Sequence, residues 1–256
     1  MPLNYKKLGT GQPLIIIHGL FGSLDNWMTF AKTMSENYEV YLIDARNHGQ
    51  SPHSNVFNIQ VMADDLKEFI DENQLINSII LGHSMGGKIA MQFAINYPSK
   101  IDKLIVVDIA PKAYPVHHEL IIEGLQALDF NVIKTRNAAD EKLSAYIPEF
   151  SVRQFLLKNL YWKEKEQLGF RFNLEVIAKN IHHVGEALVT NGKSFNNPTL
   201  FVRGDKSNYI LDSDMDEIQK IFPNSNLITI KDSGHWIHAE QPEAFLNTIE
   251  QFLKEN

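Results

Sequence analysis

A serine between glycines gives the strongest chemical signal in the sequence. Residues 82–87 read Gly82-His83-Ser84-Met85-Gly86-Gly87, after an apolar run and before a helical pattern. This is the G-x-S-x-G pattern in the strand, turn and helix order that a nucleophile elbow requires. Glycines two residues before and after the serine suit a turn so tight that side chains there would collide with neighbouring backbone. The pattern therefore predicts Ser84 as a nucleophile exposed above a sheet.

A serine hydroxyl is a poor nucleophile at neutral pH, so it needs a general base. His235, one of ten histidines, lies in a loop after the last apolar run and before a final helix near Pro242. That loop belongs at the carboxyl edge of the sheet, where the predicted elbow also emerges. We therefore predict His235 as the base. Five other histidines lie near this edge and suit structural roles, either in turns or in support of the catalytic residues. They are His18, His48, His53, His83 and His238.

Attack on an acyl group creates an oxyanion, which backbone N–H groups stabilise. Met85 follows the nucleophile and is predicted to supply one of these groups. The second is predicted to come from the loop after the first strong apolar run, with Leu20 favoured and Phe21 as the alternative. The glycines of that loop are equally compatible with a plain sharp turn.

The sequence offers little to hold a metal or a cofactor. It contains no cysteine and no H-E-x-x-H pattern. Two histidine pairs, His117-His118 and His182-His183, fall in predicted helical segments. Neighbouring side chains on a helix point about 100° apart and do not make a natural chelate. We predict no metal site and no cofactor.

Short apolar runs alternate with amphipathic helical stretches, which predicts an α/β fold with a mostly parallel, doubly wound sheet. Helical spacing is clear over 58–73 and 85–97. From 111 to 196 the helical pattern continues with no convincing strand. We predict a core of residues 1–110 and 197–256 with an inserted helical cap of residues 111–196. The predicted strands are Leu14 to His18, Val40 to Asp44, Ser78 to Leu81, Leu104 to Asp108, Thr199 to Arg203 and Leu227 to Lys231.

Length and charge narrow the class of partner. A chain of 256 residues suits one catalytic unit with an insertion. The formal net charge of -7, with no cluster of basic residues, disfavours nucleic acid. No apolar run reaches the roughly 18 residues that span a membrane, and the first residues do not resemble a signal peptide. We expect a cytoplasmic protein with a small-molecule partner, and the sequence does not reveal its oligomeric state.

Taken together, these segments resemble the α/β-hydrolase superfamily, and within it the bacterial YbfF-type esterases, over nearly the whole chain. Several matches in one order are more specific than any single motif. The resemblance implies carboxylesterase or thioesterase activity on short acyl groups and a helical cap over the site. The matching segments are His18-Gly19-Leu20-Phe21-Gly22-Ser23, Asp44-Ala45-Arg46-Asn47-His48-Gly49-Gln50-Ser51, the elbow, Val107-Asp108-Ile109-Ala110-Pro111 and Ser233-Gly234-His235-Trp236.

Two residues are candidates for the acid that orients the base. In the superfamily it usually follows the strand after the cap as G-x-x-D, but here that position is Ser207, in Gly204-Asp205-Lys206-Ser207. Asp108 ends an apolar strand, where a buried carboxylate needs a partner such as His235. The YbfF-type resemblance points to the same residue. We predict Asp108, with Asp205 as the alternative; Ser207 is either a hydrogen-bond donor behind the triad or a turn residue.

The predicted reaction is hydrolysis of a short- to medium-chain acyl ester or thioester through an acyl-enzyme. A serine at the elbow argues against dehalogenase or epoxide-hydrolase chemistry, which uses aspartate there in this fold. Two alternatives stay open. One is a carbon–carbon bond hydrolase with the same triad, and the other is a non-catalytic ligand receptor on the same fold.

Overall fold

A seven-stranded sheet forms the centre of the computed structural model, which describes residues 1–115 and 118–255. Its strand order is β1-β3-β2-β4-β5-β8-β9, where the strands of the described residues are β1 (Tyr5–Leu8), β2 (Gln12–Ile17), β3 (Tyr38–Ile43), β4 (Ser78–His83), β5 (Ile101–Val107), β6 (Leu160–Glu164), β7 (Gln167–Phe170), β8 (Thr199–Gly204) and β9 (Ser225–Ile230). Strand β1 is antiparallel to β3, and the other neighbours in this sheet are parallel. The predicted α/β class is confirmed.

All six predicted strands are present, but the sequence analysis missed β1. Its residues Tyr5-Lys6-Lys7-Leu8 are mostly exposed. Strand β1 lies at the edge of the sheet beside β3, where lysines are common because they discourage pairing with another chain. Such a strand carries no run of apolar residues, so the hydrophobic pattern did not reveal it.

Helices cover both faces of the sheet. Those of the described residues are α1 (Met28–Met34), α2 (Ile59–Glu72), α3 (Met85–Asn96), α4 (Glu119–Gln126), α5 (Arg136–Ser144), α6 (Phe150–Leu157), α7 (Leu174–Asn180), α8 (His182–Gly185), α9 (Met215–Ile221), α10 (Ile237–Glu240) and α11 (Pro242–Glu255). Within this described part of the chain, none of them has the length and the apolar character that crossing a bilayer requires.

Two hydrophobic clusters flank the sheet. Side chains alternate along a strand, so Leu14 and Ile16 of β2 pack in one cluster with α1 and α11. Ile15 and Ile17 face the other cluster, which contains α2, α3 and much of the segment between β5 and β8. Helix α3 is buried from Met85 to Ile95. It therefore forms a fixed support beneath the inserted segment.

The inserted segment contains more than helices. Helices α4 to α8 lie in it, but β6 and β7 form a separate antiparallel hairpin. The expectation of a segment without strands is therefore wrong. Tyr161 and Trp162 are aromatic residues that favour strands, and Glu166 adopts a φ of 60° in the turn that joins them to β7. The division into core and cap at 111 and 196 stays a prediction.

Candidate active site

Ser84 occupies the sharp turn between β4 and α3. Its φ of 53° and ψ of -118° are strained for a residue with a side chain, and its N–H donates to the Val107 carbonyl at 3.0 Å. A Cβ atom on Gly82 would meet the Gly86 carbonyl oxygen, and one on Gly86 would meet the Ile17 carbonyl oxygen. Neither position has room for a side chain, so both must be glycine, as the sequence predicts. The turn presents Ser84 to a cavity.

That cavity has a volume of about 620 Å³ and lies between the sheet edge and the inserted segment. Ser84 and His235 both line it, together with rings from Trp27, Phe155 and Trp236. The size is within the usual range for small-molecule sites, about 300–1,000 Å³. In the described residues no hydrogen bond joins the Ser84 hydroxyl to the His235 ring. Such bonds are often loose without substrate.

His235 is bonded to Asp108. The imidazole Nδ1–H donates to Asp108 Oδ2 at 2.7 Å, which leaves Nε2 for the nucleophile or a leaving group. Asp108 follows β5, has a φ of 53° and is fully buried. A buried carboxylate requires donors. His235 supplies one of them, as the sequence analysis expects for Asp108.

Ser207 and Tyr209 complete the surroundings of this pair. The Ser207 hydroxyl donates to Asp108 Oδ2 at 2.5 Å, so of its two predicted roles the structure favours the hydrogen-bond donor. The Tyr209 ring stacks on His235, with centroids 4.3 Å apart and 25° between the planes. The Tyr209 carbonyl accepts from the Tyr114 hydroxyl at 2.6 Å. The sequence analysis missed Tyr209, since only the folded chain brings it to His235.

Asp205, the alternative acid, lies elsewhere. It is exposed and accepts from the Ser233 N–H at 3.2 Å. Backbone N–H groups, first that of Asp232 and then that of Ser233, hold its pKa below the usual value. Asp205 therefore closes the turn after β9. The structure brings Asp108, and not Asp205, to the imidazole.

The loop after β2 is held by two buried histidines. His48 Nε2 accepts the Phe21 N–H at 3.1 Å, while its Nδ1 donates to the Arg46 carbonyl at 3.0 Å. His18 Nε2 accepts from the Ala45 N–H at 3.1 Å. Because the Phe21 N–H is occupied by His48, Leu20 is the better candidate for the oxyanion donor. The Met85 N–H lies at the first residue of α3, where helical donors have no partner within the helix.

A family model described as the alpha/beta hydrolase fold matches residues 12–242. The chain belongs to the α/β-hydrolase family. Its relatives include the sn-1-specific diacylglycerol lipase ABHD11 of Danio rerio, 37% identical over 254 residues and covering 96% of this chain and 80% of that protein. Esterase YbfF of Escherichia coli strain K12 is 35% identical over 245 residues, covering 95% and 93%.

A solved structure, a marine microorganism esterase, matches this α/β-hydrolase with a TM-score of 0.94 at 42% identity, over 98% of both chains. Relatives that are named esterases and lipases confirm the predicted resemblance. They also confirm that the chain is a carboxylic ester hydrolase.

Other histidines at the sheet edge of the hydrolase contact backbone groups or aromatic rings. His83 Nε2 donates to the His235 carbonyl at 2.8 Å, and burial holds the pKa of His83 well below its usual value. His238 stacks on Trp27 with centroids 4.0 Å apart, and burial lowers the pKa of His238 to about 3. His53 is exposed, and its Nε2 donates to the Arg171 carbonyl at 3.1 Å. Of these edge histidines, His235 is the one hydrogen-bonded to a carboxylate.

Lys88 joins helix α3 of the hydrolase to two separate parts of the inserted segment. It is fully buried one turn after Ser84, and its Nζ donates to the carbonyls of Lys112 at 2.5 Å and Glu186 at 2.7 Å. Burial lowers the pKa of Lys88 to about 8. The sequence analysis missed this contact, because a lysine in a helix is usually exposed.

A histidine cluster lies on the inserted segment. His182, His183 and Glu186 could hold a metal ion, with one ligand atom from each within 4.8 Å of the others. The two rings are only 4.0 Å apart, so the expectation that these neighbours point apart is wrong. Glu186 accepts from His183 Nδ1 at 2.8 Å and directs that ring. His117 lies outside the described residues, and the absence of a metal or cofactor stays a prediction.

Proposed function

We propose that this ester hydrolase is a serine carboxylesterase or thioesterase that cleaves short- to medium-chain acyl substrates through an acyl-enzyme. One observation carries the proposal. The Asp108–His235 hydrogen bond of 2.7 Å orients the imidazole at a cavity that Ser84 also lines. A nucleophile, a base and an orienting acid are the parts that acyl transfer by serine requires.

In the proposed first half-reaction, the Ser84 oxygen attacks the acyl carbonyl carbon while His235 Nε2 takes the hydroxyl proton. The oxyanion receives hydrogen bonds from the Leu20 and Met85 N–H groups. The bond from carbon to the leaving oxygen or sulfur then breaks, and His235 returns the proton to that atom. An alcohol or a thiol leaves, and Ser84 stays acylated.

In the second half-reaction, a water molecule attacks the acyl carbon and gives a proton to His235 Nε2. The tetrahedral intermediate collapses, the bond to the Ser84 oxygen breaks, and the proton returns to that oxygen. A carboxylic acid is released. Asp108 keeps Nδ1–H of His235 bonded throughout and stabilises the imidazolium in both halves.

The relatives agree with an oxygen-ester substrate. The names esterase and diacylglycerol lipase both describe cleavage of a carboxylic ester. The proposal extends this chemistry to thioesters because the same attack and the same oxyanion serve both. Residence in the cytoplasm and a small-molecule ester or thioester as the substrate belong to the same proposal.

A substrate panel tests the proposal. p-Nitrophenyl esters and acyl-CoA thioesters of graded chain length should be hydrolysed by the wild-type chain, with kcat falling by several orders of magnitude in Ser84→Ala. A fluorophosphonate probe should label wild type but not Ser84→Ala. Folded protein that neither labels nor turns over esters would favour the ligand-receptor alternative. Turnover of diketones without turnover of esters would favour the carbon–carbon hydrolase.

A further inference from the structure

Two cavities of very different size meet at Ser84. The large one has a volume of about 620 Å³. The small one has a volume of about 30 Å³ and continues beneath the inserted segment towards Lys88. Ser84, Leu20 and Tyr209 line both cavities. A substrate bound at Ser84 therefore has two spaces for the two groups attached to its reacting carbonyl.

The catalytic groups distinguish the two spaces. Among the lining residues in the described part of the chain, His235 borders the large cavity but not the small one. Met85, which carries a proposed oxyanion donor, borders the small cavity but not the large one. The leaving atom must lie near His235, because it takes a proton from the imidazole. The acyl chain must point away from the leaving group.

We propose that the small cavity binds the acyl chain and the large cavity binds the leaving group, so that the preferred substrates are acetyl or propionyl esters of a bulky apolar alcohol or thiol. The inference rests on the proposed acyl-enzyme function and adds an orientation and a substrate class to it.

Size sets the limit on the acyl chain. A cavity needs about 10–15 Å³ to hold one water molecule, so 30 Å³ accommodates about two heavy atoms beyond the carbonyl. The walls contributed by Ile109, Ile181 and Val184 are apolar. Lys88 lines the space, but its Nζ donates to two backbone carbonyls. One or two carbons fit, and a longer chain would have to displace packed side chains.

The large cavity suits a bulky apolar group. Its volume is within the range of drug-sized ligands. Large aromatic rings border it, among them those of Trp27, Phe155 and Trp236. Ring faces offer broad apolar contact area. The alcohol or thiol side of the substrate therefore has room that the acyl side lacks.

Two isomeric esters test the orientation without changing hydrophobicity. Octyl acetate places its long chain in the leaving group, and ethyl octanoate places it in the acyl group. Hydrolysis is followed by acid release at constant pH. We expect kcat/KM for octyl acetate to exceed that for ethyl octanoate by at least about tenfold, a ratio that pocket fit alone can supply. Equal rates, or faster hydrolysis of ethyl octanoate, would overturn the orientation.

A matched pair of variants tests which group of the substrate each cavity binds. Ile181→Ala enlarges the small cavity and should raise the ratio of butyrate to acetate turnover at least fivefold for one alcohol. Phe155→Ala opens the large cavity and should leave that ratio within twofold while raising KM for octyl acetate. The reverse pattern would show that the large cavity binds the acyl chain and the small cavity binds the leaving group. If the wild-type chain neither hydrolysed any ester nor reacted with a fluorophosphonate, the proposed function itself would be refuted.

Discussion

Histidines lie on both sides of Ser84, but their hydrogen-bond partners differ. On one side, which we call the acid side, His235 is bonded to buried Asp108, and Ser207 bonds the same carboxylate. On the other, the neutral side, His18 and His48 are bonded to backbone groups alone. The residue type is the same, and the partner decides the role. A carboxylate favours the imidazolium, whereas burial without a hydrogen-bonded carboxylate favours the neutral ring.

Burial decides the charge of the neutral side. Burial lowers the pKa of His48 to about 3, so this ring is neutral at physiological pH and holds the Phe21 N–H as an acceptor. His235 keeps about a fifth of its side chain exposed. In the proposed reaction it exchanges a proton with substrate while Asp108 supports the positive charge. In that reaction the acid side changes its charge, whereas the neutral side keeps it.

Removal of the carboxylate should cause the largest loss. In Asp108→Asn the amide cannot support an imidazolium and can impose the wrong tautomer on His235. We expect kcat for a p-nitrophenyl ester to fall by a factor on the order of 10⁴, by analogy with serine proteases. Circular dichroism and thermal melting should show that the chain still folds.

Asp205→Asn is the matched control for Asp108→Asn. Asp205 is exposed and closes a turn, so its amide should retain kcat within about threefold, the scale of an exposed position. The opposite pair of results, a normal Asp108→Asn and an inactive Asp205→Asn, would transfer the acid role to Asp205 and end the distinction between the two sides.

The neutral side should respond less strongly. His48→Leu removes the acceptor of the Phe21 N–H and the donor to the Arg46 carbonyl, so the loop that contains Leu20 loses its anchor. Displacement of an oxyanion donor lowers kcat by about 10²–10³. We expect about 10² here, with KM changed less than threefold. An unchanged kcat would show that the loop keeps its shape without His48.

The sequence reveals the acid side better than the neutral side. Ser84 and His235 follow from local motifs, because the turn itself requires glycines and the chain order locates the base. Asp108 follows from the cost of a buried carboxylate. By contrast, the bond from His48 to Phe21 joins residues that are distant in the chain. A histidine in a polar loop gives no sign of such a partner.

The fold shows the same limit. Buried parallel strands were predictable, because each is a short apolar run. The hairpin β6–β7 was missed, because its partly exposed residues interrupt the alternating pattern. Tyr209 could not be assigned either, since its stacking on His235 depends on how β8 and β9 end. Local chemistry is therefore readable from the sequence, whereas contacts between loops are not.

Low pH should reduce the free energy of unfolding, because the buried histidines of the neutral side resist protonation. The pKa of His48 is about 3 in the folded chain and about 6.5 when unfolded. Between these values the unfolded chain binds more protons, so stability is complete above pH 6.5 and is lost as pH falls towards 3. We expect His48 to contribute a loss of about 2 kcal/mol between pH 7.5 and pH 5, at about 1.4 kcal/mol per unit.

Urea unfolding of His48→Gln at several pH values measures this loss. The glutamine can accept from Phe21 and donate to Arg46, but it does not titrate, so its stability curve should be flatter by that amount. His53→Gln, at an exposed position, should keep the wild-type slope. Parallel curves for wild type and His48→Gln would show that protonation of His48 does not oppose folding.

Within the acid side, Ser207 should make the smallest contribution. Its hydroxyl shares Asp108 Oδ2 with His235, so Ser207→Ala removes one donor to a buried carboxylate and loosens its position. A hydrogen bond to a charged group contributes about 1.5 kcal/mol or more, which corresponds to about a tenfold fall in kcat with KM little changed. Ser207→Thr retains the hydroxyl and should recover kcat to within threefold of wild type. If the alanine variant kept full kcat and lost only thermal stability, Ser207 would be a turn residue, and the acid side would consist of Asp108 and His235 alone.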